Sequence, residues 1–176
     1  LKITVHYTDG SEEIVSTDSS WEISSGPCVY NHIRQGEIYD ARLEQKGWDK
    51  PGFDSMDWEK TIIVRPPGGI LEPMDMPPIR IIKTLNPIEV IGGIYDFGEN
   101  ISGWARIKIR GERGREVVIK YYERLDKNGQ PDDTINGFTR MENQPLHHEN
   151  KYILKGGETE EYAPCFCYHG FRYVLV

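Results

Sequence analysis

Long apolar runs are missing from this chain: no uninterrupted stretch exceeds five residues, far short of the ~20 that a membrane-crossing helix needs. Basic charge is in deficit too, with 21 Lys+Arg against 28 Asp+Glu and a formal net charge of -7. A surface of that sign repels a phosphate backbone, which excludes nucleic acid as the main partner. Cysteine is scarce and odd in number: Cys28, Cys165 and Cys167. Cys165 and Cys167 are too close for an ordinary bridge or a zinc knuckle, and no second pair completes a four-ligand site. Strand alternation would turn both thiols to one face, as buried structural thiols. Unpaired thiols suit a reducing cytoplasm, with a secreted parent as the other option. An initiating Met and a charged-then-apolar leader are also missing, so the expectation is a piece cut from something longer.

Turn formers and aromatics are abundant by contrast. The chain carries 18 Gly and 11 Pro in 176 residues, with 38% hydrophobic and 11% aromatic, enough for a packed core with many short strands. Leu1, Ile3, Val5 and Tyr7 alternate with Lys2, Thr4 and His6, Asp9-Gly10 marks a tight turn, and Ile14-Val15 begins the return strand. Glu37 to Lys46 has the composition of a short helix, and Asp54 caps a single turn ending near Trp58. Ala105, Ile107 and Ile109 alternate with Arg106 and Lys108; Val117, Ile119 and Tyr121 form the next strand, and Asn128-Gly129 marks a tip. Tyr152 to Leu154 and Phe166 to Val176 complete the set. Residues 131–150 read as a long polar loop holding His147 and His148, with no third metal ligand at helical spacing.

This spacing predicts an all-β fold, an antiparallel β-sandwich of jelly-roll-like character with at most one or two short helices. The proline- and glycine-rich stretch from Arg65 to Pro78 divides it. Residues 1–78 are expected to form the later part of a first sandwich with a linker, and residues 79–176 the major part of a second.

Two blocks go beyond pattern. One is Gly36-Glu37-Ile38-Tyr39-Asp40-Ala41-Arg42, with Gly47-Trp48-Asp49, Gly52-Phe53-Asp54 and Trp58. The other is Tyr95-Asp96-Phe97-Gly98-Glu99-Asn100-Ile101-Ser102-Gly103-Trp104, closing with Tyr168-His169-Gly170-Phe171-Arg172-Tyr173. In this order they resemble the N-terminal sandwich region of bacterial α-L-rhamnosidases over nearly the whole chain. The resemblance implies a parent that cleaves terminal α-L-rhamnose with inversion, using acidic residues on a large α/α barrel beyond Val176. It also implies opening strands of the first sandwich ahead of Leu1. This chain is then a non-catalytic accessory segment whose partners are other domains of the parent enzyme and L-rhamnose-containing glycans. The alternative is a free-standing carbohydrate-binding or adhesion module.

Some family members use the first sandwich for calcium-dependent rhamnose binding. The residues placed for that here are Glu37 and Asp40, as calcium and hydroxyl ligands, with Trp48 as a stacking face. The competing reading pairs Asp40 with Arg42 to pin an irregular loop. Trp104 falls on the Arg106/Lys108 face, where a ring serves as a sugar platform or an interdomain anchor; a bulge at Gly103 would turn it inward. A hairpin without its neighbours exposes a sheet edge, so self-association through residues 1–64, or disorder there, is a further expectation.

Overall fold

The computed structural model describes residues 1–66, 68–70, 72, 75–134 and 145–176. The linker reading falls partly on Pro67, Leu71, Pro73 and Met74, and the long-loop reading partly on residues 135–144; these positions lie outside the described residues. Among the described residues there is no α-helix, only strands and one 3-10 turn, so the all-β expectation holds. The chain divides into two compact units, residues 1–25 with 46–80, and residues 26–45 with 81–176. The division drawn at residue 78 from sequence differs from this one, because residues 26–45 are hydrogen-bonded into the second unit.

In the first unit, β1 (Lys2–His6) and β2 (Glu12–Ser16) form an antiparallel hairpin with Ile3 opposite Val15. Gly10 closes it at φ 85°, a conformation that suits glycine, and the Asp9 carboxylate accepts from the Ser11 N–H at 2.9 Å. The short strands β3 (Glu22–Ile23) and β6 (Glu59–Lys60) pair antiparallel. Glu22 joins them, accepting from Lys60 Nζ at 2.7 Å and from the Ser55 hydroxyl. Asp54 accepts from the Met56 N–H at 3.0 Å, the turn expected of it. No described residue of this unit is buried.

The second unit holds the core. Its main sheet has seven strands in the order β4-β5-β11-β10-β13-β8-β7. These are β4 (Cys28–His32), β5 (Gly36–Asp40), β7 (Glu89–Ile91), β8 (Ile94–Gly103), β10 (Glu116–Tyr122), β11 (Glu149–Ile153) and β13 (His169–Leu175). A second small sheet pairs β9 (Ile107–Ile109) with β12 (Glu160–Tyr162). All pairings are antiparallel except β5 with β11, which run parallel with Tyr39 beside Tyr152. Alternation explains the core: Val117, Ile119 and Tyr121 of β10, Tyr152 of β11, and Phe171 of β13 all point inward and are buried. Each such side chain contributes about 1.5–3 kcal/mol over remaining exposed. Tyr39, Tyr152 and Tyr162 cluster with ring centroids 4.7–5.8 Å apart.

Two expectations need correction here. The helix expected over Glu37 to Lys46 is instead strand β5 followed by the 3-10 turn Ala41–Leu43; pairing with β4 and β11 outweighs local propensity. The polar loop expected over 131–150 ends early, since Glu149 and Asn150 open β11 and Leu146, His148 and Asn150 are buried.

Candidate functional site

The polar side chains singled out from the sequence lead into a sealed cluster under the main sheet. Strand alternation sends Glu37 and Tyr39 of β5 to the core side and Asp40 to the other. The Glu37 carboxylate is wholly buried and accepts three hydrogen bonds: from Tyr162 Oη at 3.1 Å, the Cys165 N–H at 3.1 Å and the Phe166 N–H at 3.3 Å. It thereby fixes the bend after β12 to strand β5.

Gly36, just before it, lets the two chains meet. A Cβ there would fall 1.8 Å from the Glu149 carbonyl oxygen, and φ is 129°, so a side chain has neither room nor an easy backbone.

Asn150 is the junction beside Glu37. Its Oδ1 accepts from the Glu37 N–H at 2.9 Å and from Cys167 Sγ at 3.2 Å, with His169 Nε2 at 3.4 Å. Its Nδ2 donates to Tyr121 Oη at 2.8 Å, which also accepts from the Ala105 N–H at 3.3 Å. The His169 ring stacks on Tyr121 at 4.0 Å and meets His148 edge-on at 4.7 Å. His148 Nδ1 bonds the Tyr121 carbonyl at 2.8 Å.

Burial sets the electrostatics of this cluster. It holds His169 neutral, with its pKa pushed down to about 3, and lowers His148 in the same direction. Burial, reinforced by the Glu37 charge, pushes the Cys28 thiol up to about 11 and Cys167 to about 12. Both therefore stay protonated and unreactive at neutral pH. The shared face expected for Cys165 and Cys167 is corrected: a bend at Cys165 and Phe166 leaves Cys165 exposed and Cys167 buried.

Asp40 takes the pinning role. Its carboxylate accepts a two-pronged pair from Arg42, Nε at 2.8 Å and NH2 at 2.7 Å, and caps the Arg42 N–H at 3.1 Å. The Arg42 guanidinium holds the Asp40 carboxyl below its usual range despite burial. Calcium does not fit this pair. Glu37 and Asp40 face opposite sides of β5, both are already engaged by protein donors, and among the described residues no group of three or more His, Cys, Asp or Glu is arranged to hold a metal. Trp48 is 64% exposed and belongs to the first unit, whereas Glu37 and Asp40 belong to the second. Trp104 is half-buried and follows the last residue of β8.

A shallow depression of about 90 Å³ lies beside β10, lined by Lys120, Tyr122, Asp133, His147 and Glu149. Small-molecule pockets usually enclose ~300–1,000 Å³.

Asn150, Tyr121 and His169 went unnoticed as a cluster in the sequence. Phase could have found them, because Asn150 is in step with Tyr152 and Leu154, Tyr121 with Ile119, and His169 with Phe171.

The all-β architecture, with a polar cluster buried beneath its main sheet, makes this a β-sandwich module. Comparison with known proteins gives its family. Residues 1–83 match the family described as the alpha-L-rhamnosidase N-terminal domain, and residues 89–176 the bacterial alpha-L-rhamnosidase concanavalin-like domain. An α-L-rhamnosidase of Formosa agariphila is 31% identical over 99% of this chain and 19% of its own length. The solved α-L-rhamnosidase of Dictyoglumus thermophilum is 42% identical with a TM-score of 0.86, over 98% of this chain and 20% of that one. The Streptomyces avermitilis enzyme, solved in complex with L-rhamnose, is 30% identical with a TM-score of 0.80, over 98% and 17%. The chain belongs to the bacterial α-L-rhamnosidase family and corresponds to the two β-domains named by those matches. It spans about a fifth of the length of the relatives it matches.

Proposed function

We propose that this chain is a non-catalytic accessory β-sandwich segment of a glycoside hydrolase acting on terminal α-L-rhamnose. The observation that carries the proposal is the state of its buried carboxylates. Inverting glycosidases hold two carboxyl groups about 6.5–9.5 Å apart across a cleft, one to protonate the leaving oxygen and one to activate water. Glu37 and Asp40 are engaged as described. Glu160 accepts from Tyr152 Oη at 2.8 Å and from the N–H groups of Lys155 and Gly156 at 3.0 and 2.9 Å. Burial alone would raise the Glu160 pKa, yet these donors bring it below its usual range. A carboxyl held ionised and fully bonded is a poor proton donor to a leaving group.

The role left for the segment is to support other domains of a longer rhamnosidase. Trp48 offers solvent an aromatic face and is the residue through which the segment would contact a rhamnose-containing glycan. The test is release of nitrophenol from an aryl α-L-rhamnoside by the purified 176-residue chain. No turnover above buffer is expected. Turnover that survives repurification and is lost on substituting an acidic residue of this chain would overturn the proposal.

A further inference from the structure

Between Arg106 and Arg115 the sequence sets Arg106, Lys108, Arg110, Arg113 and Arg115 against the single acid Glu112, in a chain of formal charge -7. The topology keeps these cations together at one end of the second unit. The turn 110–115 carries the chain from β9 in the small sheet to β10 in the main sheet. The turn 154–159 carries it back the other way, from β11 to β12. Because β10 pairs with β11 and β9 with β12, the two turns lie against each other. The Gly114 N–H donates to the Leu154 carbonyl at 2.8 Å, and the Leu154 N–H to the Arg115 carbonyl at 2.9 Å. Gly156, at φ 83°, permits the approach, since a Cβ there would fall 2.7 Å from the Arg113 nitrogen.

The neighbouring cations have carboxylate partners. Arg106 and Lys108 share Glu161 at 3.5 and 3.4 Å, Lys155 Nζ meets Glu44 at 2.7 Å, and Arg42 is held by Asp40. Arg110, Arg113 and Arg115 are exposed and pair with no carboxylate of a described residue, although Glu112 stands in the same turn and Glu158 in the facing one. Asp40 feels the Arg113 charge, but Arg42 already occupies its carboxylate.

Backbone orients two of these three side chains. Arg110 Nε donates to the Gly157 carbonyl and Arg113 NH1 to the Lys155 carbonyl, each at 3.2 Å. One N–H of each guanidinium is used in this way and the rest stay free. A guanidinium fixed by a neutral acceptor keeps its full charge and has already lost rotamer freedom, which lowers the cost of ordering when an oxyanion arrives.

Planar forks of this kind match carboxylate and sulfate groups. The acid-rich remainder of the surface repels a broad acidic protein face, whereas a glycan strand is narrow enough to follow the arginine edge alone. We propose that Arg110, Arg113 and Arg115 form a binding edge for an acidic glycan, one carrying carboxylate or sulfate groups. The choice of a glycan rests on the carbohydrate-enzyme reading above, which the aryl-rhamnoside assay tests. Binding to an acidic polymer without a hydrolysable rhamnoside is measured separately, so the two readings fail separately.

Affinity electrophoresis of the 176-residue chain through gels holding polygalacturonate, dextran sulfate, neutral dextran or polyglutamate provides the test. Retardation by polygalacturonate or dextran sulfate is expected, with none by neutral dextran, and the stronger of the two identifies the preferred oxyanion. Arg115→Gln, at a side chain bonded to no described residue, should weaken binding about threefold. Arg113→Gln with Arg115→Gln should weaken it at least about tenfold. Replacing both by Lys keeps the charge without the fork and should give an intermediate loss. Lys127→Gln removes the same charge from another exposed tip and should leave binding unchanged.

The proposal is overturned by a chain that neither acidic glycan retards, or by retardation that Arg113→Gln with Arg115→Gln leaves intact. An equal loss in Lys127→Gln also overturns it, making net charge the only cause. Polyglutamate retarding the chain as strongly as either acidic glycan overturns it in favour of an acidic protein partner.

Discussion

Replacing Glu37 separates a structural carboxylate from a ligand-binding one. In Glu37→Ala the buried Tyr162 hydroxyl and the part-buried N–H groups of Cys165 and Phe166 lose their acceptor together. Hydrogen bonds to a charged group contribute about 1.5–3 kcal/mol each, and the donors here are not all fully desolvated. Allowing for partial rescue of the two N–H groups by water, the expected loss is about 3–5 kcal/mol, a large share of the ~5–15 kcal/mol by which domains are stable. Glu37→Gln should cost far less, about 1–2 kcal/mol. One amide oxygen can accept both N–H groups while the amide nitrogen donates to Tyr162 Oη. Guanidinium unfolding followed by the near-ultraviolet dichroism of the buried tyrosines measures both variants. The reasoning is refuted if Glu37→Ala stays within about 1 kcal/mol of the parent chain, or if the Gln variant falls as far as the Ala variant.

Acid should destabilise the second unit through His169 and His148. Their folded pKa values are lowered, to about 3 for His169, so the unfolded chain takes up the protons first as pH falls below about 6.5. Stability is then full above that pH and drops by up to about 1.4 kcal/mol per pH unit through His169 down to about pH 3, with His148 adding in the same direction; a flat profile between pH 7 and 4 would contradict this. Gly36→Ala, with its Cβ driven into the Glu149 carbonyl, should cost at least about 3 kcal/mol and slow the parallel β5–β11 pairing, read by loss of amide protection in β5. Asp40→Asn removes the charge from a partly solvated pair with Arg42 and should cost only about 1 kcal/mol by thermal melt, with any larger loss pointing to a further partner.

Much of the second unit was legible because its strands alternate cleanly. Val117, Ile119 and Tyr121, or Ile107 and Ile109 against Arg106 and Lys108, announce their faces without help from tertiary context. The parallel partnership of β5 and β11 was not legible. It joins residues more than a hundred positions apart, and Glu37 to Lys46 carries helix-favouring side chains whose preference yields to the sheet. Asp40 with Arg42 was readable as a local pair, since two positions suffice for the guanidinium to reach back. The destination of Glu37 was not, because its donors Tyr162, Cys165 and Phe166 come from distant chain. Acidic residues beside aromatics look alike in sequence whether they face sugar or protein.

That ambiguity has a physical resolution. A carboxylate that serves a ligand must keep lone pairs free, whereas one that serves the fold uses them on its own backbone. Glu37, Asp40 and Glu160 each bind N–H groups of the chain that a strand end or a turn would otherwise leave without an acceptor: Cys165 and Phe166, Arg42, and Lys155 and Gly156. These N–H groups lie outside the strands, where the chain turns or bends and ladder partners run out. The acidity of this chain is thus partly an answer to its turn-rich topology. Short strands joined by many turns leave many unpaired N–H groups, and each of these buried carboxylates satisfies one or two of them. The same allocation makes the interior rigid, since a satisfied buried polar network resists rearrangement. Rigidity of this kind is what the proposed supporting role would ask of the segment, and carboxylates bonded in this way are withdrawn from proton transfer.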